Sequence, residues 1–402
     1  MTRHAAPPLR DGASLAVMRE PTVIVGASAA GLAVAACLSQ RHVPFVLLEQ
    51  QPHVAHAWRN HYQRLHLHTP RGGSGLPGFA MPASYPRYPS RQQVVDYLEA
   101  YCAHFSIEPR YGRTVTAIVR RGGGWSVSAG ADQFTTDNVV VATGYTRVPF
   151  RPTWPDEGIC RSTIQHSSQY RSGEDFRGKR VLVIGFGNSG GEIAIDLVEH
   201  GADPSISVRG AVNVIPRDLF GVPILTAGIA MNALPAKLAD ALSAPLIRLA
   251  VGDIGKLGFK ELPYGPIEQI RSTKRIPLLD VGTIALIRNG KLKLVPDVAR
   301  FTAHGVEFSD GRTEAFDVIV LATGYRPAIA EFLQDASDVL GDDGAPRRSG
   351  EAVVDGLYFC GFRVAPTGML REIGIEAERI ASAIPRQKPG PALVGVAPSA
   401  AS

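Results

Sequence analysis

Apolar positions along the chain fall into short β-branched runs that alternate with longer helix-forming stretches, the order expected of parallel strands joined by crossover helices. The first set is "TVIVG" (22–26), "AAGLAVAACLSQR" (29–41) and "FVLLE" (45–49), which together predict one strand–helix–strand unit. The pattern recurs as "RVLVIG" (180–185), "NSGGEIAIDLVEHG" (188–201) and "SISVR" (205–209). A second echo joins "VVVATGY" (139–145) to "IVLATGY" (319–325), each a buried-type strand running into Thr-Gly. The whole second unit lies between these copies, as if the chain leaves one domain and later re-enters it. The predicted fold class is therefore α/β, with two dinucleotide-binding Rossmann-like domains. Residues 21–155 and 291–384 make the first domain, and 156–290 the second, inserted one, which carries a helical insertion. Residues 1–20 read as an irregular tail, and 385–402, rich in Pro, Ala, Gly and Ser, as a disordered one.

Composition narrows the class without naming a ligand. A chain of 402 residues has room for two domains with separate cores, and charged residues at 20% against 45% hydrophobic ones exclude a disordered chain. The net charge of +5 is scattered, so no nucleic-acid partner is expected. Cys37, Cys102, Cys160 and Cys360 lie far apart without a C-x-x-C pair, which predicts neither a zinc site nor a disulfide framework. With no apolar leader at the N-terminus, a cytoplasmic setting is expected. The most apolar region, "LFGVPILTAGIAMNALPAKLADAL" from Leu219, is broken by Pro223, Asn232 and Pro235; it predicts buried or interfacial helices rather than a transmembrane segment.

The two strand–helix turns are not alike. "GFGNSG" (185–190) follows G-x-G-x-x-G, in which the first glycine permits the bend, the second the approach of a pyrophosphate and the third close helix–strand packing. "GASAAG" (26–31) keeps Gly26 and Gly31 but has Ser28 in the middle, a small residue able to donate a hydroxyl to phosphate. Glu49 ends the strand after the first turn, where a carboxylate accepts hydrogen bonds from a ribose diol. The matching place after the second turn holds Arg209, which suits a 2′-phosphate, with Arg217 a weaker candidate for the same group. The first turn thus reads as an adenine-dinucleotide site and the second, with Gly185, Gly187, Asn188, Ser189 and Gly190, as an NADPH site. Two dinucleotides in one chain point to a flavin reduced by a nicotinamide.

At this point the sequence resembles the flavin-containing monooxygenases, and within them the plant YUCCA branch. The resemblance rests on "HSSQYRSGEDFRGKRVLVIGFGNSGGEIAIDL", "RLHLHTPR", "YPSRQQVVDYLEAY", "PLLDVGTIALIRNGKLKL", "FDVIVLATGY" and "GLYFCGF", in family order from about residue 21 to 384. It implies FAD at the first turn, held by Gly26, Ser28, Ala30, Gly31, Glu49, Gln50, Trp58, His68, Thr69, Thr143, Gly144 and Gly361, with NADPH at the second. It also implies O2 activation as a C4a-(hydro)peroxyflavin and oxidative decarboxylation of an aromatic 2-keto acid such as indole-3-pyruvate. N- or S-oxygenation, or Baeyer–Villiger oxidation of a secondary metabolite, is the alternative. His68, in His68-Thr69-Pro70-Arg71, is the catalytic candidate. The family's identifying motif is altered in "CRSTIQHSSQY": His166 and Tyr170 are kept, while Cys160 and Ser162 replace Phe and Gly. The chain therefore reads as a divergent member.

Other signals are weaker. Five histidines, His53, His56, His61, His66 and His68, crowd one segment, but no acidic or thiolate ligand accompanies them and no metal is expected. His166 reads equally as structural or catalytic. The partners expected are O2 and a small-molecule substrate, and the pattern is silent on oligomeric state.

Overall fold

The structure, a computed structural model, describes residues 17–385 except 232; the expected tails therefore lie largely outside the described residues. Residues 17–20, expected to be irregular, instead open the strand Val17–Val25, because they pair in register with Gln133–Thr136. This strand is central to a sheet ordered Val46–Leu48, Val17–Val25, Asp132–Val141, Leu357–Phe359, Ala352–Val354. Its first four strands are mutually parallel. Two antiparallel strands, Val115–Arg121 and Gly124–Ala129, extend from Asp132–Val141.

The first three helices of the described chain belong to this half: α1 (Ala29–Gln40), the short α2 (His56–Arg59) and α3 (Arg91–His104). Ser90 starts α3 with a capping box, its hydroxyl accepting from Gln93 N–H while the Gln93 side chain accepts from Ser90 N–H. Ten consecutive residues of α1, Ala29–Leu38, are buried, since the helix is covered by the sheet on one side and by other helices on the rest.

The second sheet is entirely parallel and ordered Lys293–Val295, Asp203–Ser207, Arg180–Ile184, Val318–Leu321, Thr163–His166. The helix α4 (Asn188–Glu199) covers one face, and a meander of Val298–Thr302, Gly305–Phe308 and Thr313–Ala315 covers the other. The boundary drawn at residue 291 is corrected here. The second Thr-Gly strand does not return to the first sheet but sits beside Arg180–Ile184, with Leu321 opposite Ile184. Each sheet thus owns one Thr-Gly strand, and the chain re-enters the first sheet at Ala352–Val354 and Leu357–Phe359.

Between Pro216 and Leu278 come α5 (Ile224–Met231), α6 (Ala236–Val251) and α7 (Pro266–Thr273), followed by α8 (Thr283–Arg288). Buried Asp240 of α6 caps α7, accepting from Ile267 N–H and Glu268 N–H at 2.9 Å each. The outer face of α6 stays open: Leu238, Leu242, Leu246 and Leu249 are exposed. No helix among the described residues is long and apolar enough to cross a membrane. The amphipathic α9 (Met369–Ala383) is the last helix among the described residues and packs against α1.

Candidate active site

Both glycine turns leave the carboxyl end of a central strand and open a helix, so their amides face the crevice where ligands bind in open parallel sheets. Gly26 has φ +103°, and a Cβ there would stand 2.9 Å from the Ala142 carbonyl oxygen; on Gly31 it would stand 1.8 Å from the Gly26 oxygen. The second turn repeats this geometry, with Gly185 (φ +117°) 2.4 Å from the Ala322 oxygen and Gly190 2.0 Å from that of Gly185. The middle positions are different. Ser28 (φ −111°) and Gly187 (φ −105°) are extended, a conformation any residue adopts, and nothing lies within 4 Å of a Cβ built on Gly187. That open space fits a pyrophosphate in place of a side chain.

The first turn borders a slot of 240 Å³ whose lining includes Gly26, Ser28, Glu49, Gln50 and Thr143. Glu49 is buried, and its carboxylate accepts from Ala27 N–H (2.7 Å) and Gln51 N–H (2.9 Å), which fixes it against the turn. The Thr143 hydroxyl is buried without a partner among the described residues. An orphaned donor in a cradle of this shape fits a polar ligand, since leaving it unpaired costs roughly 1–3 kcal/mol.

Next to the slot, and sharing Ser28 and Thr143 with it, lies a cavity of 490 Å³. Ala30, Trp58, His68, Thr69, Gly144 and Gly361 line it from the first domain, and Asn188 and Ser189 from the second turn. Its far wall is apolar, built by Ile224, Leu225 and Met231 of α5, Ile247 of α6, Ile267 and Ile270 of α7, and Leu279. Gly31 and the second turn's three glycines shape the turns without lining either space.

His68 sits where the halves meet. Its Nε2 donates to Glu192 Oε1 of α4 at 2.6 Å, across 124 residues of sequence. Glu192 is buried, and the Tyr62 hydroxyl shares a hydrogen-bond cluster with it and Ser189; burial and the Glu192 charge push the Tyr62 phenol well above its usual range. Sequence reasoning missed both residues. The available signal was a carboxylate on the otherwise apolar face of "GGEIAIDL". His61 lines both spaces, and burial pulls its imidazole down toward the neutral form.

Several predicted residues have other partners. Arg217 is stacked 4.1 Å over the Tyr88 ring, with Nε 3.2 Å from Asp218, so it joins two loops rather than lining either space. Arg209 is exposed at the strand end, also outside both. The Asn188 side chain accepts from Leu279 N–H at 2.8 Å, Thr69 meets Ser74 at 2.6 Å, and Gly361 N–H donates to buried Glu376 at 2.6 Å. His166 holds the backbone together: Nε2 lies 3.0 Å from the Gly324 oxygen, and Nδ1 accepts from Ser168 N–H at 3.1 Å. The motif departures lie away from both spaces, Cys160 beside Gly305 and Ser162 donating to the Phe316 oxygen at 2.7 Å, against the meander. Tyr170 is retained for a structural bond, its hydroxyl donating to Asp196 at 2.6 Å. All four cysteines are free.

Comparison with known proteins agrees with the mixed α/β fold. Residues 23–217 match the pyridine nucleotide-disulphide oxidoreductase family. The chain is 43% identical over 350 residues to the indole-3-pyruvate monooxygenase YUCCA1 of Oryza sativa subsp. japonica, covering 85% of this chain and 86% of that protein. It is 39% identical over 358 residues to YUCCA6 of Arabidopsis thaliana, covering 85% of each. Among solved structures, a flavin-containing monooxygenase from Stenotrophomonas maltophilia superposes with a TM-score of 0.69 at 22% identity, over 91% of this chain and 98% of the other. An oxidized steroid monooxygenase bound to NADP gives 0.72 at 17% identity, over 91% and 86%.

Proposed function

Because this chain belongs to the family of YUCCA indole-3-pyruvate monooxygenases, an oxidoreductase family, we propose that it converts an aromatic 2-keto acid such as indole-3-pyruvate to the acid one carbon shorter. The overall change balances as keto acid, O2, NADPH and a proton giving the shorter acid, CO2, NADP+ and water. The observation that carries this reading is the single cavity bordered by both glycine turns and closed by an apolar wall large enough for a flat aromatic ring.

FAD and NADPH fit the two cradles and, when bound, supply electron transfer and the activation of O2. The protein's part is placement. The Gly26–Gly31 turn, Glu49 and the Thr143 hydroxyl would hold FAD, while the Gly185–Gly190 turn and Arg209 would hold NADPH. The 2.6 Å contact of His68 Nε2 with Glu192 fixes the ring and leaves Nδ1 as the nitrogen that would hydrogen-bond a group in the cavity. The aliphatic wall excludes water, which protects reactive species and strengthens polar contacts inside.

The test is mass spectrometry of products formed by purified holoenzyme with NADPH, indole-3-pyruvate and heavy O2. Indole-3-acetate carrying one heavy oxygen is the expected result. NADPH consumption that yields only hydrogen peroxide would reject the keto acid and redirect the search to amines, sulfides and cyclic ketones.

A further inference from the structure

The lining of the large cavity contains one arginine and no lysine among the described residues, and that arginine is Arg363. It follows Gly361 and Phe362 at the end of the strand Leu357–Phe359, on the loop that leads into α9. Its side chain is 46% exposed, so the guanidinium borders both the cavity and solvent and can meet an anion entering the cavity with a charge-assisted pair.

The surroundings of Arg363 leave positive charge to spare. Its Nε lies 3.3 Å from Glu372 Oε2, and Arg371 Nη1 donates to Oε1 of the same carboxylate at 3.1 Å. The Thr367 hydroxyl also donates to Oε1. One buried carboxylate thus serves two guanidinium groups, for a net charge of one positive unit. Nearby Glu376 is engaged elsewhere, its buried carboxyl accepting from Gly361 N–H at 2.6 Å. The Arg363 contact uses Nε, and no hydrogen bond from Nη1 or Nη2 is present among the described residues. The planar fork that recognises carboxylates is thereby left for a ligand while its base is anchored.

We propose that Arg363 is the carboxylate-binding residue of the substrate site, selecting anionic 2-oxo acids over neutral ketones and aldehydes with the same ring. This inference rests on the keto-acid reading above. The aromatic part lies against the α5–α7 wall, and the carboxylate pairs with the two Nη groups of Arg363.

The test is equilibrium binding to oxidised holoenzyme, which needs no turnover, using indole-3-pyruvate and its uncharged methyl ester. Wild type is compared with Arg363→Met and Arg363→Lys, with the thermal melt as a folding control; Glu372 keeps Arg371 and Thr367 in both variants. The acid should bind Arg363→Met roughly 10- to 100-fold more weakly, the ester within about twofold of wild type, and Arg363→Lys should fall between. An Arg363→Met protein that loses acid and ester equally, or loses only FAD or NADPH affinity, overturns the assignment. Wild-type enzyme that binds acid and ester equally also overturns it while leaving the keto-acid reading intact. Wild-type enzyme that binds neither rejects the keto-acid reading, and this assignment with it.

Discussion

The two glycine turns share a frame and differ in what surrounds it. In both, the outer glycines are demanded by the protein itself, since a Cβ would enter a backbone carbonyl of the neighbouring Thr-Gly strand or of the turn. In both, the middle residue has an extended backbone that permits any side chain. The first turn has accepted a serine there and the second has not. The fold therefore does not itself require a glycine at the middle position. The strand ends diverge in the same way: Glu49 is buried and bound to its own turn, whereas Arg209 stands exposed.

The strongest way to break this comparison is to fill the shared frame. Gly31→Ala and Gly190→Ala each place a methyl within 2.0 Å of a carbonyl oxygen, so both should cost function by roughly 100-fold or more through forced backbone movement. Absorbance and kinetics separate them: Gly31→Ala should purify without flavin, and Gly190→Ala should stay yellow with a raised KM for NADPH. Equal flavin loss in both would mean that the turns do not hold different dinucleotides.

The contact joining the two halves comes next. A double-mutant cycle of His68→Ala and Glu192→Gln, read in kcat/KM, should show a coupling of about 1–3 kcal/mol. Additive effects would show that the 2.6 Å bond does not orient the ring in turnover.

Arg209→Ala sharpens the difference between the strand ends. It should lower kcat/KM with NADPH by about 10- to 100-fold and leave NADH nearly unaffected, because only the 2′-phosphate would lose its partner. An equal loss with both cofactors would remove Arg209 from the site.

A smaller effect concerns the frame's support. Burial lowers the His166 pKa below its ordinary 6.5, so unfolding takes up a proton between the folded and unfolded values. Its stabilising contribution is complete above pH 6.5 and falls as the pH drops toward the folded value. His166→Gln should flatten the decline of Tm between pH 6.5 and 5, and an unchanged slope would place the titration elsewhere. Smallest of all should be Ser28→Gly, which removes a side chain that makes no capping bond; FAD retention should stay within about twofold of wild type. A larger change would show that the hydroxyl itself holds phosphate.

Much of the frame was legible along the chain because it is set by short-range sterics. A β-branched run, a glycine at a sharp bend and a helix-forming stretch specify a strand–turn–helix unit without knowledge of the rest, and both units form where that pattern predicts. The Thr-Gly repeat was legible too, but its partner was not. Two apolar parallel strands of the same composition fit either sheet, and only pairing across the fold assigned Val318–Leu321 to the second. Likewise, Arg209 and, more weakly, Arg217 are both candidate cations along the chain, yet packing stacked Arg217 on Tyr88 and left Arg209 exposed. The sequence by itself determined two glycine turns, each opening a helix after a parallel strand, because those depend on neighbours within about twenty residues. The tertiary structure decided the meeting of His68 with Glu192 and the placement of Arg363 in the apolar cavity, because each depends on residues distant in sequence and brought together only when the two sheets pack.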